Sequence, residues 1–264
     1  MRLPFTQVDA FADRPFTGNP AAVMPLGAWP EDALLQAIAA ENNLAETAFT
    51  VPLDDGPADY ELRWFTPTSE VEMCGHATLA SGHVLMGARD RVRFATRKAG
   101  LLEVARDGQG YALTLPVWIP HPKPLPEIVA ALDVDPADVV ETLWHERHYG
   151  VVVLAHEAAV RACTPDMRRL ARSGDWLTIV TSLGRDTDIV SRAFAPGAGI
   201  DEDPVTGSAH AVVVPYWAER LGRASLSAFQ ASARGGHLAC RLEGDRVVLG
   251  GTCVTVIEGV MTLR

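Results

Sequence analysis

A carboxylate set among small and apolar neighbours is the first place in this chain where chemistry is conceivable. Glu46 stands in Asn42-Asn43-Leu44-Ala45-Glu46-Thr47-Ala48-Phe49, at the start of an expected strand. Carboxylates are rarely buried without a partner or a purpose, and a desolvated one can take a proton and return it near neutral pH. Without further information, a solvated glutamate at a strand edge is the simpler reading. His76 falls in the first turn of an expected helix, where the helix dipole disfavours imidazolium; a neutral ring able to donate or accept a hydrogen bond is expected. Gly75 and Gly207 each open an apolar helical stretch, and helix N-termini offer unpaired N–H groups to an anion such as a carboxylate. Tight loop-to-helix packing would explain the same glycines. Asp203 precedes Pro204, as an N-cap does when proline takes the first helical position. Asp201 and Glu202 read as a solvated acidic turn, and Ser208 as a first-turn hydroxyl near backbone donors.

Other chemistries lose support. His145 and His148 flank a charged turn without a matching carboxylate or cysteine, and His76 and His83 lack a third ligand, so no metal site is expected. There is no phosphate-cradling Gly-x-x-x-x-Gly-Lys-Ser/Thr loop, no Gly-x-Gly-x-x-Gly after a strand and no Gly-x-Ser-x-Gly elbow. No cofactor is expected. Cys74, Cys163, Cys240 and Cys253 form no Cys-x-x-Cys pair, which argues against structural zinc and against a disulfide framework. Cys163, Cys240 and Cys253 read as small buried apolar residues. Lys plus Arg number 23 against 33 Asp plus Glu, a net charge of −10 that repels nucleic acid and anionic lipid. The longest apolar runs fall far below the roughly 20 residues of a membrane span. The first residues mix charges and proline where a signal peptide needs an apolar stretch. A cytoplasmic protein is expected.

These residues require elements to hold them. Hydrophobic periodicity predicts strands at 2–8, 19–24, 47–51 and 60–65, helices at 31–41 and 75–86, and a meander over 92–96, 101–105 and 111–115. The stretch from Pro116 to Pro126 carries five prolines, which suit neither a helix interior nor a central strand. A domain boundary is expected there, with lobes 1–117 and 118–253 and a final strand, about 254–264, for which a return to the first lobe is one option that the sequence alone leaves open. The second lobe repeats the order, with helices at 127–132, 167–172 and 208–221 and strands at 139–143, 149–154, 176–181, 189–194, 225–230, 236–242, 246–249 and 252–256. Direct comparison supports the echo. Arg63-Trp64-Phe65-Thr66-Pro67 answers to Arg192-Ala193-Phe194-Ala195-Pro196 at an offset of 129 residues, and Cys74-Gly75-His76-Ala77 to Thr206-Gly207-Ser208-Ala209 at 132. Same order, similar offset and the same strand, loop and helix context favour an internal duplication.

Six ordered blocks make the chain resemble the phenazine-biosynthesis PhzF-like proteins, which share the diaminopimelate epimerase fold. They are Gly18-Asn19-Pro20-Ala21-Ala22-Val23, Asn43 to Phe49, Arg63 to Pro67, Cys74-Gly75-His76-Ala77-Thr78-Leu79-Ala80, Asp201-Glu202-Asp203-Pro204-Val205-Thr206-Gly207-Ser208-Ala209 and Gln230-Ala231-Ser232-Ala233-Arg234-Gly235-Gly236. The resemblance implies an α+β fold of two pseudo-twofold-related lobes, each a curved, mostly antiparallel sheet around a central helix, with the active site between them. It implies a cofactor-free isomerase in which a glutamate, matched by Glu46, moves a proton between carbons of a cyclic dihydro-hydroxyanthranilate. His76, Asp203 and Ser208 match residues of the same pocket. A small carboxylate substrate, held by N–H groups at Gly75 and Gly207, follows, and a homodimer is compatible. Epimerase and racemase relatives use two cysteines as acid and base. Cys74 falls on one such position and Thr206 on the other, and a threonine hydroxyl cannot carry that proton reversibly. Cys74 is left as a relic or as a second carrier with a thiol pKa lowered by the helix N-terminus. The alternatives are a metabolite-binding protein without turnover and, more weakly, an epimerase using Cys74 with Glu46.

Overall fold

A computed structural model of the chain describes residues 1–263. The chain divides into two compact units, Met1–Thr114 with the residues from Gly250 on, and Leu115–Leu249. The first contains β1 (Arg2–Ala10), β2 (Asn19–Pro25), α1 (Asp32–Asn42), β3 (Glu46–Pro52), β4 (Tyr60–Phe65), β5 (Glu70–Val71), α2 (Gly75–Leu85), β6 (Arg91–Thr96), β7 (Leu101–Asp107) and β8 (Gly110–Pro116). Strands β1 and β2 pair antiparallel, β2 and β3 parallel, β3 and β4 antiparallel, and β4 and β6 parallel. Each parallel pair needs a crossover, and α1 and α2 supply the two.

The two helices are built for different places. In α1 only Leu35, Ile38 and Ala39 are buried, and that face packs with Leu3, Met24, Phe49 and Phe65. Helix α2 is buried at every position from Gly75 to Gly82. A helix without a polar face must be enclosed, and α2 packs against β1, β2, β3, β6 and β7. Gly82 lets β7 come close, since a Cβ there would stand 2.4 Å from Val104 Cγ1.

The second unit follows the same plan. It contains β9 (His121–Pro122), α3 (Pro126–Leu132), β10 (Val139–His145), β11 (Tyr149–Leu154), α4 (Glu157–Ala162), α5 (Met167–Leu170), β12 (Leu177–Leu183), β13 (Ile189–Ala195), β14 (Ile200–Asp203), α6 (Gly207–Leu221), β15 (Ser225–Gln230), β16 (Gly236–Glu243) and β17 (Arg246–Gly251). Pairing runs β10–β11 antiparallel, β11–β12 parallel, β12–β13 antiparallel and β13–β15 parallel. Helix α6 is buried at Gly207, from Ala209 to Pro215, and at Trp217 and Ala218, with β11, β12, β15 and β16 around it. The register fixes equivalent positions. Thr47 lies opposite Phe65 and Thr178 opposite Phe194, so Glu46 of β3 corresponds to Leu177 of β12.

The last strand, β18 (Cys253–Thr262), lies antiparallel to β1, from Arg2 opposite Thr262 to Ala10 opposite Cys253. The expected helix over 167–172 is cut short, because residues 171–173 tighten into a 3₁₀ turn ended by Gly174. Among the described residues no helix is long and apolar enough to cross a membrane.

Candidate functional site

In the first unit, three chain segments place four polar side chains together. Glu46 opens β3 beside β2, whose first residue is Asn19. Gly18 makes that start possible: its φ is +64°, and a Cβ would lie 2.2 Å from the Ala10 carbonyl oxygen. Cys74 is the N-cap of α2, and His76 is the second residue of the helix. His76 Nε2 lies 3.1 Å from Glu46 Oε2. On the other side of the ring, Nδ1 lies 3.0 Å from Asn19 Nδ2 and 3.5 Å from Cys74 Sγ. Glu46 is 8% exposed and His76 2%. Glu46 Oε2 and His76 Nε2 attract each other at this distance, yet neither has a hydrogen bond of good geometry. Both atoms keep bonding capacity for a third group.

The charge state of His76 reverses the expectation drawn from the helix dipole. Burial works against the charged ring, but Cys74 and the Glu46 carboxylate beside it more than offset this, and the pKa stands well above 6.5. Burial, reinforced by Glu46, pushes the Cys74 thiol up to about 11. The lowered thiol pKa expected at this helix N-terminus is therefore wrong, because desolvation outweighs the fractional charge of a helix end. Glu46, Cys74 and His76 also form, among the described residues, a set of three metal-ligating side chains whose donor atoms lie within 4.8 Å of one another. The sequence spacing did not reveal it. An ion there would have to displace the thiol proton and the ring proton.

In the second unit, Asp203 ends β14 opposite Ala193 of β13. It is not the helix N-cap that Asp203-Pro204 suggested; Thr206 is, and α6 begins at Gly207. Thr206 Oγ1 donates to Asp203 Oδ2 at 2.5 Å. Glu202 is no solvated turn residue either, for Arg192 grips both its oxygens, Nε to Oε1 at 2.7 Å and Nη2 to Oε2 at 3.0 Å. Ser208, half-buried, is the second residue of α6, where α2 has His76. His210 is buried, its Nδ1 2.8 Å from the Thr206 carbonyl oxygen, and burial pushes its pKa down to about 4. No side chain caps the N-terminus of α2 or of α6, which leaves first-turn N–H groups at Gly75 and Gly207 for other acceptors.

The structure thus brings Glu46, Cys74, Gly75 and His76 together in one unit, and Asp203, Thr206, Gly207 and Ser208 in the other. Two residues had no role assigned from sequence. Asn19 touches His76, and Gln230, fully buried, bonds Thr206 and Asp203. The available signal was an amide at the end of a strand, in Gly18-Asn19-Pro20 and in Phe229-Gln230.

A hydroxyproline epimerase from Agrobacterium vitis superposes with a TM-score of 0.60 at 11% identity, covering 98% of this chain and 92% of that one. The fold is that of the diaminopimelate epimerase-like proteins. Nearer relatives narrow this. A PhzF-family phenazine biosynthesis protein from Enterococcus faecalis gives a TM-score of 0.91 at 42% identity over the whole of both chains. A Pseudomonas aeruginosa protein named an uncharacterized isomerase is 49% identical over 268 residues, all of both chains. Residues 8–259 match the model of the phenazine biosynthesis-like proteins, and the chain belongs to that family.

Proposed function

We propose that the chain is a cofactor-independent isomerase that moves a proton between carbons of a small carboxylate substrate, with Glu46 as general acid and base. One observation carries this reading: a buried carboxylate, beside a histidine held charged, with Oε2 left without a well-formed hydrogen bond. Glu46 would take a proton from a substrate carbon, leaving the electron pair to delocalise toward the substrate carboxylate. The protonated Glu46 would then return the same proton to another carbon, so nothing is consumed. His76 holds the Glu46 carboxylate in place by charge; the charged ring donates from both nitrogens, so the Asn19 amide must present its oxygen rather than Nδ2 to Nδ1, with Cys74 on the same side of the ring. Asp203 and Ser208 are assigned to the polar groups of the substrate, and the uncapped N–H groups at Gly75 and Gly207, with Cys74 at the helix cap, to its carboxylate; the Thr206 hydroxyl and N–H already go to Asp203 and Gln230, so Thr206 serves by holding Asp203. The net charge of −10 does not oppose this, because backbone dipoles do the binding.

The test is incubation with a cyclic dihydro-hydroxyanthranilate in deuterated water, following C–H exchange and isomer formation by NMR. Glu46→Gln should abolish exchange and leave binding within about tenfold, since interactions of the transition state are what is lost. Unchanged exchange in that variant would defeat the assignment. Tight binding without exchange in the parent protein would favour a metabolite-binding role.

A further inference from the structure

We propose that Gln230 is a positioning residue that fixes the direction of a hydrogen-bond chain running from its amide through Thr206 to Asp203. The functional part of this rests on the proposed role of Asp203. Gln230 is the last residue of β15 and is wholly buried. Its Nε2 donates to the Asp203 carbonyl oxygen at 2.6 Å and to Thr206 Oγ1 at 3.0 Å, and its Oε1 accepts the Thr206 N–H at 2.8 Å. These partners allow one orientation of the amide. Turned over, it would set oxygen against a carbonyl oxygen and NH₂ against an N–H.

The direction of the next bond follows. Nε2 can only donate, so Thr206 Oγ1 accepts there, and its own hydrogen goes to Asp203 Oδ2, 2.5 Å away. A short bond from a hydroxyl to a carboxylate is of the stronger, charge-assisted kind. The Thr206 proton is thereby committed to Asp203, and the hydroxyl neither caps α6 nor carries a proton to substrate. Both ends of the chain are anchored on β13: Ser191 is in register with Gln230, and Ala193 with Asp203. Ser232 Oγ adds a bond to the Pro204 carbonyl oxygen at 2.8 Å. A carboxylate held from a strand rather than from a loop keeps the sub-ångström placement that reaction geometry demands.

Substitutions along the chain test this by their coupling. Gln230→Glu keeps an oxygen for the Thr206 N–H and loses both donor bonds. It should lower kcat for substrate C–H exchange about 10- to 100-fold and leave KM within about threefold. Thr206→Val should do the same, and the double variant should be no worse than the poorer single one, as expected of residues acting through one path. Thr206→Ser, which keeps the hydroxyl, should restore kcat to within about threefold of the parent. Parental kcat in Gln230→Glu and Thr206→Val, or a Thr206→Ser as impaired as Thr206→Val, would overturn the proposal. Asp203→Asn in parallel separates the two readings. Its full activity would remove Asp203 from the reaction and the functional part of this proposal with it, whereas its loss beside unaffected Gln230 and Thr206 variants would overturn the proposal alone. If the parent protein exchanges no substrate proton, the Thr206 hydroxyl proton decides by NMR. A slowly exchanging resonance that disappears in Gln230→Glu supports the chain, and its absence from the parent overturns it.

Discussion

The α2 and α6 regions are two uses of one scaffold. Both place a buried helix after a strand, a short paired segment and an N-cap, and both lock the entry with the same device. Arg63 binds both oxygens of Glu70, Nε to Oε1 and Nη2 to Oε2, each at 2.8 Å, and stacks 5.0 Å from the Phe65 ring. Arg192 does this to Glu202 and stacks 5.0 Å from Phe194. In both helices the fourth residue returns to the N-cap carbonyl, Thr78 to Cys74 and His210 to Thr206. The difference lies in the side chains around the helix start. Where one unit has Glu46, Cys74 and His76, the other has Leu177, Thr206 and Ser208. The parts that hold the helix ends are shared, while the Glu46–His76 pair has no counterpart at the equivalent positions of the other unit. That difference is what the one-sided reaction proposed above rests on.

The largest expected effect breaks the comparison at its centre. Glu46→Gln should lower turnover about 10²- to 10⁴-fold, the usual worth of a general acid or base, whereas Leu177→Ala at the equivalent position should change it less than about threefold; steady-state kinetics on the two variants decides. Next come the matched arginine clamps, read by denaturant unfolding. Arg63→Met should cost about 3 kcal/mol, near the low end for breaking a buried ion pair because Glu70 is partly exposed, and Arg192→Met about 2 kcal/mol, its side chain being more exposed. Equal costs would show that burial is not what separates the two clamps.

The two buried histidines should titrate in opposite directions by NMR. His76 should keep its proton well above pH 6.5, so its contribution to stability is complete below that value and fades as pH rises through the raised folded pKa. His210 should stay neutral down to about pH 4. Between those values the unfolded chain takes a proton that the folded chain refuses, so His210 weakens the fold as pH falls from 6.5. The smallest effect is expected at Cys74. With its thiol pushed up to about 11, alkylation at neutral pH should be slow, and Cys74→Ser should lower turnover by less than about tenfold. A fast-reacting Cys74, or its loss stopping turnover, would favour the cysteine-dependent epimerase.

Much of this comparison was legible in the sequence because it is local. Strands 60–65 and 225–230 carry enough alternation, and 149–154 a long enough apolar run, to be bounded to the residue, and the paired Arg-x-Phe-x-Pro and Gly-x-Ala segments marked both helix entries. Strands β5, β9 and β14 were not legible. They are two to four residues long and exist because a neighbouring strand offers hydrogen bonds, which no periodicity reports. Helix α4, six residues, is too short to show a helical period. In the site, Glu46 and His76 were legible as candidates, but the charge on His76 was not, since it depends on a carboxylate thirty residues away in the chain. The same holds for Gln230, whose role arises from a loop 24 residues upstream.

The pairing of β18 with β1 sets an order of completion. Residues 115–249, the second unit, are synthesised before residues 253–262, which supply the edge partner of the first strand. The second unit can therefore close its sheet while the first still exposes one side of β1, as domains made in sequence generally fold as units. Contacts spanning almost the full chain are also the slowest to form. The unit that holds Glu46 and His76 is therefore the one whose edge strand is made after the whole of the other unit.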